Sequence, residues 1–503
     1  MSAREPVAAR AGTPDGEEAR GLRGLMKGSA AYGMGAIASR FVGLLLLPVY
    51  TRLFTPAEFG LLELLTTTSV LLFMLAELQI LSGVARGYYA AAAAGELPRL
   101  LGTAVRMYLR NAIAWTALAP PLLFALGGRM EGIGGWTVLL PVVLAVFPQQ
   151  LLALSQLIFR FERRPGLFVA FSLCDVATSA AFSLVAVVGA GMGVPGVLWG
   201  LFFSKLVWGG AAVWIRRELF AWHYDRARAR ELLYYGVPML PAVLSRWGQN
   251  SASRYVLALS LSLADLGVFG VAARVSAVVA ILDTAFRASW DPMAMRLFEE
   301  EGSEPVFVRV LGMYLAGMFA VCSMLAFVGG MLTGFVAGPA YEAAGPLLGF
   351  LAFGLLWNGA AGMMGAGNAW ARRTYWNALG FAGGAVLNVL LLLWAAPRWG
   401  VAAAGATYLV STLACAGLVL ATAHRSHPIP YRLLAILSAA VGSCVVAAAA
   451  YALDRSASFA ALAPATQLAV RLALGAAGAL PLAGCLLRRL ALQRRARSAA
   501  AAG

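Results

Sequence analysis

Charge is scarce in this chain. Only 12% of its 503 residues are charged, 61% are hydrophobic, and the mean hydropathy is +0.77. Soluble globular chains carry roughly 25% charge, so the material for a wetted surface is missing and a soluble multidomain enzyme is excluded. Acidic residues are scarcer still, with 23 Asp and Glu against 39 Lys and Arg, for a net charge of +16. In a membrane protein such a surplus marks basic cytoplasmic loops rather than nucleic-acid binding. Histidine is nearly absent. His424 and His427 stand three apart, but they and His223 have no further ligand nearby and read as loop residues. Cys174, Cys322, Cys415, Cys444 and Cys485 lie singly in apolar runs, implying neither a disulfide framework nor a zinc site. A phosphate-cradling G-x-x-x-x-G-K-[ST] segment is also missing, which excludes an ATPase of that kind.

What is present is apolar and long. A span needs about 20 apolar residues. Fourteen runs qualify, near 29–51, 61–83, 104–126, 136–158, 167–189, 193–215, 233–260, 267–288, 307–330, 346–368, 375–396, 400–422, 432–452 and 466–487. With the amino terminus in the cytoplasm and sides alternating, only Arg52, Arg129, Arg398 and Arg455 among the loop cations fall outside. That skew supports both the count and the orientation, because one missed or invented span would invert every later loop. The expectation is a multi-pass membrane protein with both termini cytoplasmic. Residues 1–28 read as a disordered cytoplasmic tail, not as a signal peptide. The outer loops are too short to hold a catalytic domain.

The chain also repeats itself. Ser39-Arg40-Phe41 recurs as Ser245-Arg246-Trp247, and the segment from Phe54 to Leu61 aligns with Leu261 to Val268, with offsets of 206 and 207. Gly193-Val194 and Gly400-Val401 are again 207 apart. An even number of spans per repeat gives two parallel six-helix lobes related by a pseudo-two-fold along the membrane normal, plus two C-terminal helices. The fold class is thus an all-α integral membrane protein with about 14 transmembrane helices. Its domains are a tail at 1–28, an N-lobe at 29–215, a cytoplasmic linker at 216–232, a C-lobe at 233–422, and spans 13–14 with a basic tail at 423–503.

The stretch from Leu47 through Thr51-Arg52-Leu53 to Pro56-Ala57-Glu58-Phe59-Gly60 resembles the first-loop signature of polysaccharide-exporter, Wzx-type oligosaccharide-lipid flippases. Asn368 to Arg373, Asn377, Leu387-Asn388-Val389 and the run from Gly400 to Gly405 are similar to that family's eleventh and twelfth spans. The resemblance covers about residues 25–490. It implies translocation of an undecaprenyl-diphosphate-linked sugar across the inner membrane by alternating access, in cell-surface polysaccharide biosynthesis such as that of O-antigen. The expected partners are the lipid-linked oligosaccharide, the membrane and other polysaccharide assembly proteins, with no ATP and no nucleic acid.

Ionisable groups inside spans are costly and usually face a cavity. The mid-membrane cations are Arg40, Lys205, Arg246, Arg254 and Arg274. On the seventh span Arg246, Gln249, Asn250, Ser253 and Arg254 occupy an arc of roughly 140°, as expected of a helix lining a substrate cavity. Pro238 and Pro241 precede that stripe and loosen the helix. Arg40, the repeat partner of Arg246, falls near the midplane, and a planar guanidinium suits a diphosphate. Structural pairing of Arg40 with Glu77 or Asp175 is the competing reading. Glu77, Asp175, Asp283, Arg287 and Asp291 are the candidates for coupling or gating. The last three form an i, i+4, i+8 ladder that reads either as an intrahelical salt bridge or as a cytoplasmic latch. Glu63 and Arg471 lie near outer span ends, where snorkelling accounts for them. Thr66, Thr67, Thr68 and Ser69 read as hydroxyls bonded back to their own helix.

No enzyme activity and no cofactor are expected beyond a possible coupling ion, H+ or Na+. The alternative function is a cation-coupled multidrug exporter of the same superfamily. It fits less well because the first span carries Arg40 and no acidic residue. A glycosyltransferase, O-antigen ligase or polymerase would need catalytic groups and a large outer loop, and neither is found.

Overall fold

A computed structural model describes residues 44–127, 136–220 and 222–478. Every regular element among them is helical. The first half holds α1 (Leu47–Leu53), α2 (Pro56–Glu77), α3 (Ile80–Ala93), α4 (Leu97–Gly127), α5 (Trp136–Leu144), α6 (Val146–Phe161), α7 (Pro165–Leu184) and α8 (Gly193–Ile215). After α9 (Arg226–Gly236) come α10 (Leu240–Ser260), α11 (Leu263–Leu297), α12 (Glu304–Ala337), α13 (Leu348–Met364), α14 (Ala366–Trp370), α15 (Tyr375–Trp399) and α16 (Ala402–Ser426). The chain then runs through α17 (Leu433–Asp454) and α18 (Ala457–Ala460) to a last helix, α19, at 464–478.

Ten helical stretches of the described residues are long and apolar enough to cross a membrane. Two further helices, α4 and α10, have the length but not the apolarity, because α4 carries Arg99, Arg106 and Arg110 and α10 carries its polar stripe. The expected first span lies mostly outside the described residues, as does the end of the fourteenth. Apolar side chains face outward as well as inward. On α15, Leu379, Val386, Leu390 and Leu393 are exposed while Gly380, Phe381, Gly384, Asn388 and Leu392 are buried. That pattern suits a helix with lipid on one side and protein on the other.

The repeat is built into the helix ends. Thr55 caps α2, its hydroxyl accepting from the Glu58 N–H while the Glu58 carboxylate accepts from the Thr55 N–H at 2.9 Å. At the matching place in the second half, the Ser262 hydroxyl accepts from the Asp265 N–H at 3.1 Å and donates to the Asp265 carboxylate at 2.6 Å. Both are capping devices that satisfy N–H groups the helix itself leaves open. Gly193, the first residue of α8, and Gly400, just before α16, share a left-handed φ of 60° that favours glycine.

The crossing of α2 and α11 is tighter still. A Cβ on Gly60 would lie 1.8 Å from the Leu263 carbonyl oxygen, and one on Gly267 would lie 1.9 Å from that of Pro56. Gly60 and Gly267 are repeat mates, as are Pro56 and Leu263. The two halves therefore meet backbone to backbone about their own pseudo-symmetry, as small residues permit in membrane helices.

Two expected spans are interrupted. The second ends at Glu77, where Leu78 and Gln79 both take left-handed φ values, 50° and 56°, before α3 begins. The break is filled from outside, since a Cβ on Gly236 would meet the Leu78 carbonyl oxygen at 2.6 Å. The seventh breaks at a short 3-10 turn, Val237–Met239, which carries Pro238 between α9 and α10. Proline removes a backbone donor and cannot continue an α-helix without distortion.

Candidate functional site

A cavity of about 760 Å³ opens between α2 of the first half and α10, α11, α13 and α16 of the second. That volume lies in the range of roughly 300–1,000 Å³ typical of ligand pockets. Its ionisable lining is Arg246, Arg254, Arg274 and Arg287 against Glu63 and Asp283, so the described lining carries a net positive charge of two.

Helix α10 supplies one face through Arg246, Asn250 and Arg254, at i, i+4 and i+8. Asn250 is held by its neighbours, with Oδ1 accepting from Tyr408 Oη at 3.0 Å and from Asn358 Nδ2 at 3.2 Å. The Arg246 guanidinium lies 5.0 Å from the Phe381 ring centroid. Among the described residues no carboxylate pairs with it and no acceptor takes its hydrogens, so a cation on the cavity wall is left open to a ligand.

At the end bounded by the Gly60–Gly267 crossing sits a triad. Glu63 Oε1 accepts from Arg274 Nε at 2.5 Å and Oε2 from Arg254 Nε at 3.3 Å. Arg274 lies over the buried Phe59 ring at 4.7 Å. About 9 residues further along α11, or ~13 Å at the α-helical rise, Asp283 pairs with Arg287 at 3.1 Å and accepts from Tyr314 Oη at 2.8 Å. Arg287 also donates to the Gly359 carbonyl. Every partner of this second cluster lies in the second half, so it ties α11 to α12 and α13 and makes no link to the first half among the described residues.

The expected cavity residues therefore divide. Arg246, Asn250, Arg254 and Arg274 line the cavity, as do Asp283 and Arg287 from the coupling set. Gln249 does not. It is fully buried and faces the neighbouring helices, its Nε2 donating to Ser411 Oγ at 3.3 Å, while Ser253 Oγ accepts from Asn388 Nδ2 at 2.8 Å. The 140° arc is wide enough to serve a cavity on one edge and helix packing on the other. Lys205 lies outside the cavity, where it pairs with Asp175, whose Oδ1 also accepts from Ser204 Oγ at 2.9 Å. Glu77 is not in the cavity either. Its carboxylate accepts from the Leu81 N–H at 2.5 Å and caps α3 across the break. Asp291 is exposed and makes no ion pair among the described residues, so the ladder has two rungs. Arg40 lies outside the described residues.

Sequence reasoning missed Glu63, which is 4% exposed and paired twice. A signal was available, because its repeat mate is Gly270 and a Cβ there would lie 2.5 Å from Glu63 Cγ. Arg471 is likewise buried, ion-paired with Asp454 at 2.6 Å and donating to the Phe327 carbonyl at 2.6 Å, which fastens α19 to α17 and α12. Neither residue snorkels. The hydroxyls of Thr66 and Thr68 bond back to Leu62 and Leu64, each at 2.8 Å, although Thr66 and Thr67 border the cavity.

Residues 135–346 match the model of a family described as polysaccharide biosynthesis protein. The structure superposes on lipid II flippase MurJ in an inward closed conformation with a TM-score of 0.70, at 10% identity over 91% of this chain and 99% of that one. Both matches agree with the resemblance to polysaccharide exporters read from the sequence. A MOP superfamily transporter from Pyrococcus furiosus is similar with a TM-score of 0.55, at 12% identity over 84% of this chain and 96% of that one. The transporter MATE in complex with MaL6 gives 0.54, also at 12% identity, over 84% and 97%. At such identities these structures establish the fold alone, an all-helical one with helices long and apolar enough to cross a membrane. No curated protein sequence matches the chain.

Proposed function

We propose that this protein flips an undecaprenyl-diphosphate-linked oligosaccharide across the cell inner membrane by alternating access, for cell-surface polysaccharide biosynthesis. The observation that carries the reading is the charge of the cavity. Four arginines face two carboxylates, and Arg246 has no carboxylate of its own among the described residues. An exporter of cationic drugs would need the opposite balance. A diphosphate brings about two negative charges, which this excess neutralises, and guanidinium forks donate to its oxygens in pairs. Low-dielectric walls around the cleft focus the field on the bound headgroup.

The skew of loop cations supports cytoplasmic termini, and with them the Gly60–Gly267 crossing lies toward the outer face. Asp283 and Arg287 then flank the inner part of the path. The test is direct flipping in proteoliposomes of a fluorescent sugar carried on a polyprenyl diphosphate. The diphosphate-linked sugar is expected to cross, and the same sugar on an uncharged polyprenyl chain is not. Equal transport of both would overturn the reading.

A further inference from the structure

Glu63 is the one carboxylate of the first half that reaches the arginines of the second, among the described residues. It is an unusual ion to find there. Arg254 and Arg274 come from two different helices, and both give their Nε to a single carboxylate. Two cations share one anion, so the cluster keeps a positive charge. Arg274 is 26% exposed in its side chain and gives no other hydrogen bond among the described residues. The space for Glu63 is provided by the repeat. Position 270, where the pseudo-symmetry would place a second such side chain, is glycine, and the Glu63 side chain fills the gap. These two pairs are also the only ion pairs of α2 among the described residues.

We infer that Glu63 is a resident counter-anion, occupying the place of the substrate's diphosphate on Arg254 and Arg274 and yielding it when the diphosphate binds. The inference rests on the flippase reading. Two arginines so close, partly shielded from water, repel each other unless an anion lies between them. Exchange of a carboxylate for a diphosphate keeps that anion in place, so neither state buries a bare cation pair. What exchange does remove is the tie from α2 to α10 and α11. The glycine crossing beside it is then free to part, and headgroup binding is linked to opening of that end. A neutral or cationic ligand cannot displace the carboxylate, so the same residue selects for diphosphates. Glu63 is a positioning residue in this account, acting through the two arginines.

The experiment measures binding of farnesyl diphosphate to the full chain in nanodiscs, for wild type, Glu63→Gln and Glu63→Asp. Loss of the competing charge is expected to tighten binding to Glu63→Gln by about tenfold, a modest share of what close charge pairs are worth, while Glu63→Asp stays near wild type. In a cysteine-free chain carrying spin labels at Ala57→Cys and Ala264→Cys, farnesyl diphosphate is expected to lengthen the distance between labels. In Glu63→Gln that distance is already long without it. If wild type fails to bind farnesyl diphosphate, the flippase reading falls and takes this inference with it. If wild type binds and Glu63→Gln binds equally or more weakly, the flippase reading stands and the counter-anion is overturned, because a merely structural carboxylate would leave the arginines misplaced when removed. Should Glu63→Gln not fold, the wild-type labels decide, and an unchanged distance on binding rejects the inference.

Discussion

Helix α2 and helix α11 start from the same chemistry, Thr55 with Glu58 in one and Ser262 with Asp265 in the other, and cross where Gly60 meets Gly267. Beyond the crossing they part. Glu63 of α2 faces Gly270 of α11, and Thr67 of α2 corresponds to Arg274 of α11. The ends of the helices keep the symmetry because caps and close approach serve the scaffold. The cavity walls break it, as the proposed ligand, with a charged head and a sugar, has no two-fold of its own. The two charged clusters on α11 show the same division. The Glu63 triad joins the halves, and the Asp283–Arg287–Tyr314 cluster stays within one.

The largest effect should come from filling the crossing. Gly60→Ala or Gly267→Ala puts a methyl group within 2 Å of a backbone oxygen, and no rotamer relieves it. Transport should be lost, with destabilisation of about 1–3 kcal/mol. Label distances across Ala57 and Ala264 should be long in every condition. Unchanged distances would mean that the crossing is not where the halves close.

A smaller effect should follow at Gly270. Ala at that position meets Glu63 Cγ at 2.5 Å and pushes the carboxylate off its arginines. Because the clash is with a side chain, Glu63→Ala should relieve it. A double-mutant cycle in thermal stability should show a coupling of at least 0.5 kcal/mol between the two sites. Additive effects would separate Gly270 from Glu63.

Arg287→Ala should cost stability, about 1–3 kcal/mol from the stranded Asp283, yet leave label distances between the halves unchanged. The sequence alone allowed this ladder to be a latch. Its partners in this structure all belong to the second half, and a shift in the label distances would favour the latch.

The smallest effect on transport is expected at Lys205. Lys205→Met alone strands a buried Asp175 and should cost about 3 kcal/mol, whereas Lys205→Met with Asp175→Leu replaces the pair by apolar groups and should be close to neutral. Flipping rates of the double variant should stay within about twofold of wild type, since the pair lies outside the cavity. A loss of flipping in a stable double variant would bring Lys205 back to the site.

How far the sequence reached follows from these residues. Helices, loop boundaries and the repeat were legible because hydrophobic runs, Gly193 and Gly400, and the Thr55…Glu58 capping box act locally. The family-like segment at Asn368 to Asn377 proves to be a helix joint, where Asn368 bonds Asn377 at 2.7 Å and Thr422 at 3.1 Å, and Arg372 takes a left-handed φ of 57°. The face of a helix was not legible. Lys205 sits at mid-span on α8, whose apolar residues surround it on all sides, so no periodicity told cavity from neighbour. Gln249 shared an arc with Arg246 but belongs to its buried edge. Glu63 looked terminal because its distance from the span end was counted, while the informative measure was its register against Gly270 in the other half.

On the proposed reading, a cation that the protein leaves unpaired serves the diphosphate, and Arg246 is that cation. Flipping of a polyprenyl-diphosphate-linked sugar should be measured in proteoliposomes for wild type, Arg246→Ala and Arg246→Lys at equal reconstitution. Loss of about a hundredfold or more is expected for Ala, in line with the 2–5 kcal/mol that truncating a buried charge partner costs, and partial recovery for Lys, which keeps the charge without the planar fork. An Arg246→Ala protein that flips at the wild-type rate would contradict it.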